Sequence, residues 1–281
     1  MSPIHDQSYR RYGGTRLPVG RSWGVIARHG IRSMADKRPF LALMLFAWIP
    51  FMVRCVQLYI VANYPQAGSV IAVNPAMFRD FLDQQGVFVF FTTIYVGAGL
   101  IAADRRANAL QIYLSKPLLR MEYIGGKLLV LVTFLLAVTL LPAVLLLLLQ
   151  IAFSGSLQFV RGNLFVIPAV VLASLVQVIV ASFTMLALSS LSKSTRYVSL
   201  LYTGAIFFTE ALFNTLRVIT GSTRVAWISI TANLQQVVDA MFRMPARYET
   251  PVLVSALVLL ALLAVSISVL ERRVKGVEVV S

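Results

Sequence analysis

Cysteine and histidine are nearly absent from this chain, and their scarcity removes most forms of catalysis. Cys55 is the only cysteine, so the chain can form no internal disulfide and no cysteine-based metal cluster. Lying in an apolar run, it reads as a small buried residue. Both histidines, His5 and His29, precede the first long hydrophobic run. That leaves no His-based metal site and no Ser/His nucleophile pair among the apolar segments. Acidic residues are also few, 11 against 25 lysines and arginines. No two aspartates fall within the apolar runs, so a carboxylate dyad is unavailable there. A phosphate-binding loop is missing as well. Gly125-Gly126-Lys127 resembles the end of one, but the upstream glycine is not at the required offset, and Leu128 stands where Ser or Thr would hold Mg²⁺. The chain is therefore read as a non-enzyme that binds no metal, nucleotide or other cofactor of its own.

Apolar residues, by contrast, are in excess. They make up 58% of the chain, above the roughly 45–50% of soluble domains, and they come in blocks. The pattern predicts an all-α integral membrane protein with six transmembrane helices, at about 39–61, 86–103, 124–150, 164–191, 198–218 and 251–270. Each block approaches or exceeds the ~20 residues needed to cross ~30 Å of hydrocarbon. Lipid offers backbone amides no partner, so each must be helical. Pro142 and Pro168 lie inside the third and fourth blocks, where a missing N–H is expected to bend the helix.

The net charge of +14 is topological and does not point to nucleic acid. Eighteen basic residues lie in 1–38, 104–127, 192–197 and the tail after 270, and only six in the connections that alternate with these. The positive-inside rule then places both termini in the cytoplasm. Some of this charge also attracts anionic lipid. The first 38 residues are polar and basic with no apolar h-region, which predicts no signal peptide.

Residues 1–20 read as a flexible cytoplasmic tail and 21–38 as an amphipathic interfacial helix. In that helix Trp23, Ile26, Ala27, Gly30 and Met34 share one face, while Arg21, Arg28 and Arg32 share the other. The six-helix domain spans 39–270, and 271–281 is a second cytoplasmic tail. Residues 219–250, on the opposite side, are too apolar for an ordinary loop. Leu234, Val237, Val238 and Met241 follow helical spacing, and Thr231 or Asn233 could cap that helix. It is expected to pack on the mouth of the bundle or to re-enter it. No internal repeat is visible, so an inverted-repeat transporter gains no support.

Two charges fall inside the spans, Arg54 in the first and Glu210 in the fifth. Such residues are costly in lipid and point to function or pairing. At ~1.5 Å per residue, Arg54 lies ~22 Å beyond Pro39 and Glu210 ~20 Å beyond Tyr197, so their depths match. They are read as an ion pair, within one subunit or between two. The pair either fixes packing or takes part in transport; alternatively, each residue snorkels to the interface.

Between the second and third spans runs DRRANALQIYLSKPLLRMEYIGGK, residues 104–127. Ala107, Leu110 and Leu114 fall on one helical face, Arg105, Arg106 and Gln111 offer polar contacts, and Pro117 ends or bends the segment. The expectation is a short amphipathic helix across the inner face, available to a soluble partner and able to pass motion to both spans.

These residues resemble the ABC-2 type permeases of ABC transporters. The family shows an acidic residue at the end of span two, an Ala/Gly-Leu segment, Leu-Ser-x-Pro-x-x-Arg, an aromatic or aliphatic pair, and Gly-Lys opening span three. The matching elements here are Asp104, Ala109-Leu110, Leu114-Ser115-Lys116-Pro117, Arg120, Tyr123-Ile124 and Gly126-Lys127. Asp104 stands where glutamate is common, and Asn108 with Gln111 replaces a frequent Gly-Thr and Glu. The interfacial helix, the six spans and the apolar segment before span six extend the resemblance over nearly the whole chain.

The resemblance implies the permease subunit of an ATP-driven transporter, most relatives of which export. A separate ABC ATPase subunit carrying Mg-ATP would dock on a coupling helix at about 104–120. Asp104, Arg105, Arg106, Ala107, Leu110, Gln111, Leu114, Pro117 and Arg120 would carry that coupling. A second permease copy or a paralogue would complete a dimer. The cavity would be lined by spans one, two and five, with Phe88, Phe91, Tyr95, Phe207 and Phe208 as inward residues. A rival reading is a membrane scaffold that binds a cytoplasmic partner and transports nothing.

Overall fold

The computed structural model describes residues 22–64, 66, 68, 73–109, 119–155 and 158–274, and every element among them is helical. Five helical stretches are long and apolar enough to cross a membrane: Arg38–Asn63, Pro75–Arg106, Arg120–Ser154, Val166–Leu191 and Val252–Arg273. The chain is an α-helical, multi-pass membrane protein. The predicted fifth span is also a helix, Thr195–Thr220, and at ~1.5 Å per residue it is long enough to cross. Thr203, Thr209, Glu210 and Asn214 interrupt its apolar surface, and it does not reach the same hydropathy as the other five.

The helix α1 (Ser22–Ala35) is the predicted amphipathic one. The first span is two helices, α2 (Arg38–Ala47) and α3 (Ile49–Asn63), separated at Trp48. Pro50 has no N–H to continue the ladder there, and the Ala47 carbonyl accepts a hydrogen bond from the buried Gln85 side chain at 3.0 Å. The second span starts eleven residues earlier than its apolar block, because Asn74 caps α4 (Pro75–Thr92) through the Met77 N–H and Pro75 suits the first turn. Arg79, Asp80 and Asp83, which lie between the first two apolar blocks, are therefore helical. A π-helical turn at Thr93–Gly97 and a bend follow, before α5 (Ala102–Arg106).

The third span is α6 (Arg120–Val138) and α7 (Leu140–Ser154), broken at Thr139 just before Pro142. The fourth is α9 (Val166–Leu191), reached through the short α8 (Gln158–Gly162). Pro168 lies in the first turn of α9, where a missing N–H breaks no hydrogen bond, so the expected bend is absent. After α10 (Thr195–Thr220) come a 3₁₀ turn (Arg224–Ile228), α11 (Ile230–Met241) and α12 (Val252–Arg273). Ser229 caps α11 through the Ala232 N–H; neither Thr231 nor Asn233 does so.

Two apolar clusters divide the bundle by depth. One gathers Ala27, Phe40, Ile101, Tyr123, Leu131 and Leu270, at the end where α1, α5 and the last turn of α12 meet. The other gathers Phe51, Phe78, Phe81, Leu146, Val170 and Phe242 at the opposite end. Cys55 packs only partly buried against the second cluster. The helix α1 is fastened along α6 through two glycines. A Cβ on Gly30 would meet Val130 at 2.6 Å, and one on Gly126 would meet the Ile26 side chain at 2.8 Å and the Trp23 carbonyl oxygen at 2.9 Å. Adjacent Gly125 faces open space.

Gly126→Val should push α1 off α6 and cost about 1–3 kcal/mol. Gly125→Val carries the same change in helix propensity without the clash, so the difference in thermal unfolding temperature between the two variants isolates the packing effect. Equal temperatures would show that α1 is not seated on Gly126.

Candidate functional site

The predicted coupling segment does not form one helix from 104 to 120. The second span carries its helix on to Arg106, Ala107 is the C-cap, and Asn108 takes the left-handed conformation at φ +54°. Asparagine tolerates this better than most residues, and it ends the helix. Ala109 is helical again, and the helix of span three begins at Arg120, after an extended Leu119. Leu110, Gln111, Leu114 and Pro117 lie outside the described residues. Asp104, Arg105 and Arg106 are thus the last turn of span two, and Arg120 is the first residue of span three.

These two ends are tied together. Lys127 Nζ lies 2.7 Å from Asp104 Oδ2, and the Tyr123 hydroxyl donates to the same oxygen at 2.8 Å. Both charged side chains are more than four-fifths buried, and Lys127 also sits over the Tyr123 ring. One helical turn of spacing explains the cluster: Tyr123 and Lys127 are i and i+4 on α6, so one face meets Asp104 with a donor and a cation. Glu122, also buried, turns back so that Oε2 accepts the Leu119 N–H at 3.2 Å, capping the start of α6. Arg106, Ala107, Leu119 and Arg120 remain exposed at this end.

Span two is held to span four just above this cluster. The Ser189 hydroxyl donates to the Ala98 carbonyl at 2.9 Å and accepts the N–H groups of Ile101 at 3.1 Å and Ala102 at 3.0 Å. A hydroxyl has one donor and two acceptor sites, so Ser189 is fully used on the bend. Next to it, Arg105 donates to the Ser190 carbonyl. Sequence reasoning missed Ser189, since a serine near a helix end carries no signal of its own.

The Arg54–Glu210 pair does not form within the chain. Arg54 donates to Gln57 at 3.0 Å and Gln84 at 3.4 Å, while Glu210 accepts from Asn214 at 3.2 Å and from Ser229. Matching depth fixes height along the bundle but not direction around the helix, and the two side chains point to different neighbours.

A different ionic cluster, also missed, lies at the far end. Asp239 on α11 is almost fully buried and accepts from Arg79 at 3.0 Å and from Arg247 Nη2 at 2.8 Å and Nε at 2.9 Å. Arg247 reaches Asp83 at 2.7 Å as well. Burial alone would lower the Arg247 pKa, but its hydrogen bonds to Asp239 and Asp83 outweigh that and leave it raised. Gln236 Nε2 reinforces the closure by donating to the carbonyls of Tyr248 at 3.1 Å and Thr250 at 2.8 Å. The most buried face of α11 is therefore partly polar, carrying Asn233, Gln236 and Asp239.

Between the two ends is a cavity of about 480 Å³, lined by α4, α9, α10 and α11 and open on one side past the exposed Val87, Phe91 and Phe207. Phe91 and Phe207 line it, and Phe88, Tyr95 and Phe208 do not. Among the described residues, span one contributes nothing to it, and span four and α11 line it instead. Tyr95 instead stacks on Phe40 at 5.7 Å, and Phe208 points away, 68% exposed. Among the described residues, no three His, Cys, Asp or Glu side chains gather where they could hold a metal ion.

Two measurements check this station. Ser189→Ala leaves one carbonyl and two N–H groups unpartnered in the interior, and should cost at least about 1–3 kcal/mol. The bend would then be visible as faster hydrogen exchange at Ile101 and Ala102. For the ion pair, Asp104→Asn and Lys127→Met should each destabilise, while the double variant loses less than their sum, by about 1–3 kcal/mol. Strict additivity in the unfolding cycle would show that the two charges are not coupled.

No protein-family model matches the chain, and no curated protein matches it.

Proposed function

We propose that this chain is the permease subunit of an ABC-2 type ABC transporter, an exporter driven by a separate ATPase. On this reading the helix α10 supplies the sixth crossing, and both termini lie in the cytoplasm. Residues 104–120 receive the ATPase, which carries the Mg-ATP. A second permease copy, or a paralogue, completes the assembly in the cytoplasmic membrane of a prokaryote. Arg54 and Glu210, each bonded to its own neighbours, are left to this inter-subunit region.

The observation that carries the reading is the Asp104–Tyr123–Lys127 cluster. It lies at the neck of the segment that matches the family motif, and it joins the end of span two to the start of span three. A force applied to the connecting residues therefore reaches both helices together. Such a joint is what a transmission element needs, because closure of an ATPase can shift access only through elements that move as units. Ser189 and Arg105 extend the joint to span four.

The chain should co-purify from its native membrane with an ATPase subunit, and Leu110→Asp or Leu114→Asp should lower ATP turnover at least tenfold, a loss of about 1.4 kcal/mol or more of coupling. Monodispersity and thermal unfolding of the permease itself should be unchanged. Co-purification with a soluble partner lacking ATPase activity would support the scaffold reading instead. Full turnover in both variants would remove the coupling role from 104–120.

A further inference from the structure

We propose that the cavity between α4, α9, α10 and α11 is a binding site for a neutral small molecule with an aromatic part and hydrogen-bonding groups. That this molecule is the transported cargo rests on the permease reading. Its size, about 480 Å³, falls within the roughly 300–1,000 Å³ of small-molecule pockets.

The lining divides into an aromatic wall and a polar stripe. The wall is Phe90, Phe91, Tyr202 and Phe207. Phe90 stacks on Tyr202 at 5.8 Å and meets Phe207 edge-on at 5.6 Å, leaving ring faces and edges available to a further ring. The stripe runs along α9. Gln177, Ala181 and Thr184 are i, i+4 and i+7, so they share one face, with the two polar groups about 10 Å apart. The Thr184 hydroxyl is buried without a hydrogen-bond partner, and the Gln177 amide makes no hydrogen bond among the described residues. Ala181 between them keeps the wall low, and a Cβ on Gly86 opposite would come within 3.4 Å of Gln177 Nε2. Small residues thus hold open the space in front of two unused polar groups.

Leaving the buried Thr184 hydroxyl unpartnered costs about 1–3 kcal/mol, and a ligand with a matching donor or acceptor recovers it, with the half-buried Gln177 amide as a second contact. Charge on the ligand is excluded by the lining itself. Among the described residues that line the cavity, Asp83 is the only acidic side chain, it is held by Arg247 at 2.7 Å, and no Lys, Arg or His joins it. A cationic ligand would have to compete with that guanidinium for Asp83. An anionic one would enter an apolar cavity with a carboxylate and no free positive partner. Neutrality follows.

The test uses three probes built on one photoreactive aromatic scaffold: 4-(hydroxymethyl)benzophenone, the anion 4-benzoylbenzoate, and the cation 4-(aminomethyl)benzophenone. The full chain in lipid nanodiscs, with neither ATP nor ATPase present, is irradiated and digested, and the labelled peptides are mapped. The neutral probe should label 82–91 or 177–184 saturably, roughly tenfold more than either ion. Ala181→Trp should abolish this labelling by filling the cavity, and Gln177→Leu should weaken apparent affinity about tenfold. Should the tryptophan variant fail to fold, Gly86→Leu serves as the filled cavity. Labelling that does not saturate, or that survives the filling variant, would show mere partition into lipid and overturn the proposal. Preference for a charged probe, or a lipid acyl chain found by mass spectrometry in the same peptides, would overturn it too. Because the readout needs no ATPase, a failure here leaves the permease reading standing, and loss of that reading leaves a measured binding site intact.

Discussion

A helix broken inside a membrane must find partners for its freed backbone groups within the protein, because lipid supplies none. This constraint governs the present fold more than any apolar contact does. Span two turns at residues 98–101, and Ser189 alone satisfies one carbonyl and two N–H groups there. Span one breaks at Trp48, and Gln85 reaches across to the Ala47 carbonyl. Span three breaks at Thr139, whose hydroxyl adds a second hydrogen bond, at 2.9 Å, to the Leu135 carbonyl that already accepts the Thr139 N–H. The bends in spans one and two are each closed by a buried polar side chain from another helix, which ties each bend to its neighbour. The position of Asp104 beside Lys127 depends on the second of these, since an unbent span two would continue past the end of α6.

The two ends of the bundle solve different problems with the same means. At one end a single carboxylate, Asp104, is shared by a hydroxyl and an ammonium from one face of α6. At the other, the buried Asp239 is shared by two guanidiniums, one from α4 and one from the segment before α12. A buried carboxylate with one partner removed is strongly destabilising, whereas a fully satisfied one fixes geometry. Both clusters therefore act as specific joints between elements that apolar packing alone would allow to slide. The cavity lies between these joints.

Much of this was legible in the sequence because membranes restrict the alternatives. The six apolar blocks each became helices, and the amphipathic 21–38 segment became α1. Apolar extent, however, marked helix ends poorly. Span two was read from 86, yet Asn74 and Pro75 start it far earlier, since a cap sets the first turn whatever the polarity of the residues that follow. Arg54 and Glu210 do not pair within the chain, for a geometric reason: sequence position gives depth but not azimuth. Asp239 was hidden beside an apolar periodicity, Leu234–Val238–Met241, that is buried or half-buried as read but gives no sign of the polar residues buried next to it. Ser189 could not have been found, because its role exists only where span two bends beside it.

The bend in span two also determines what the two functional regions can share. The cavity touches α4 between Leu82 and Phe91, and the Asp104 cluster lies just beyond the π-helical turn at Thr93–Gly97. That turn packs tightly: a Cβ on Gly97 would overlap Met185 of span four at 2.4 Å. Displacement of Asp104 therefore cannot slide span two along its axis, since Ser189 and Met185 hold the turn against α9. What remains open to the helix is rotation about the turn, which would swing Phe90 and Phe91 relative to the fixed stripe of Gln177 and Thr184. A π-turn is a suitable pivot, because its widened ladder already holds one residue more than an α-turn and can redistribute hydrogen bonds without exposing them to lipid. On the proposed function, the same small-residue contact that locks the bend thus converts a push at the membrane surface into a change in the shape of the cavity.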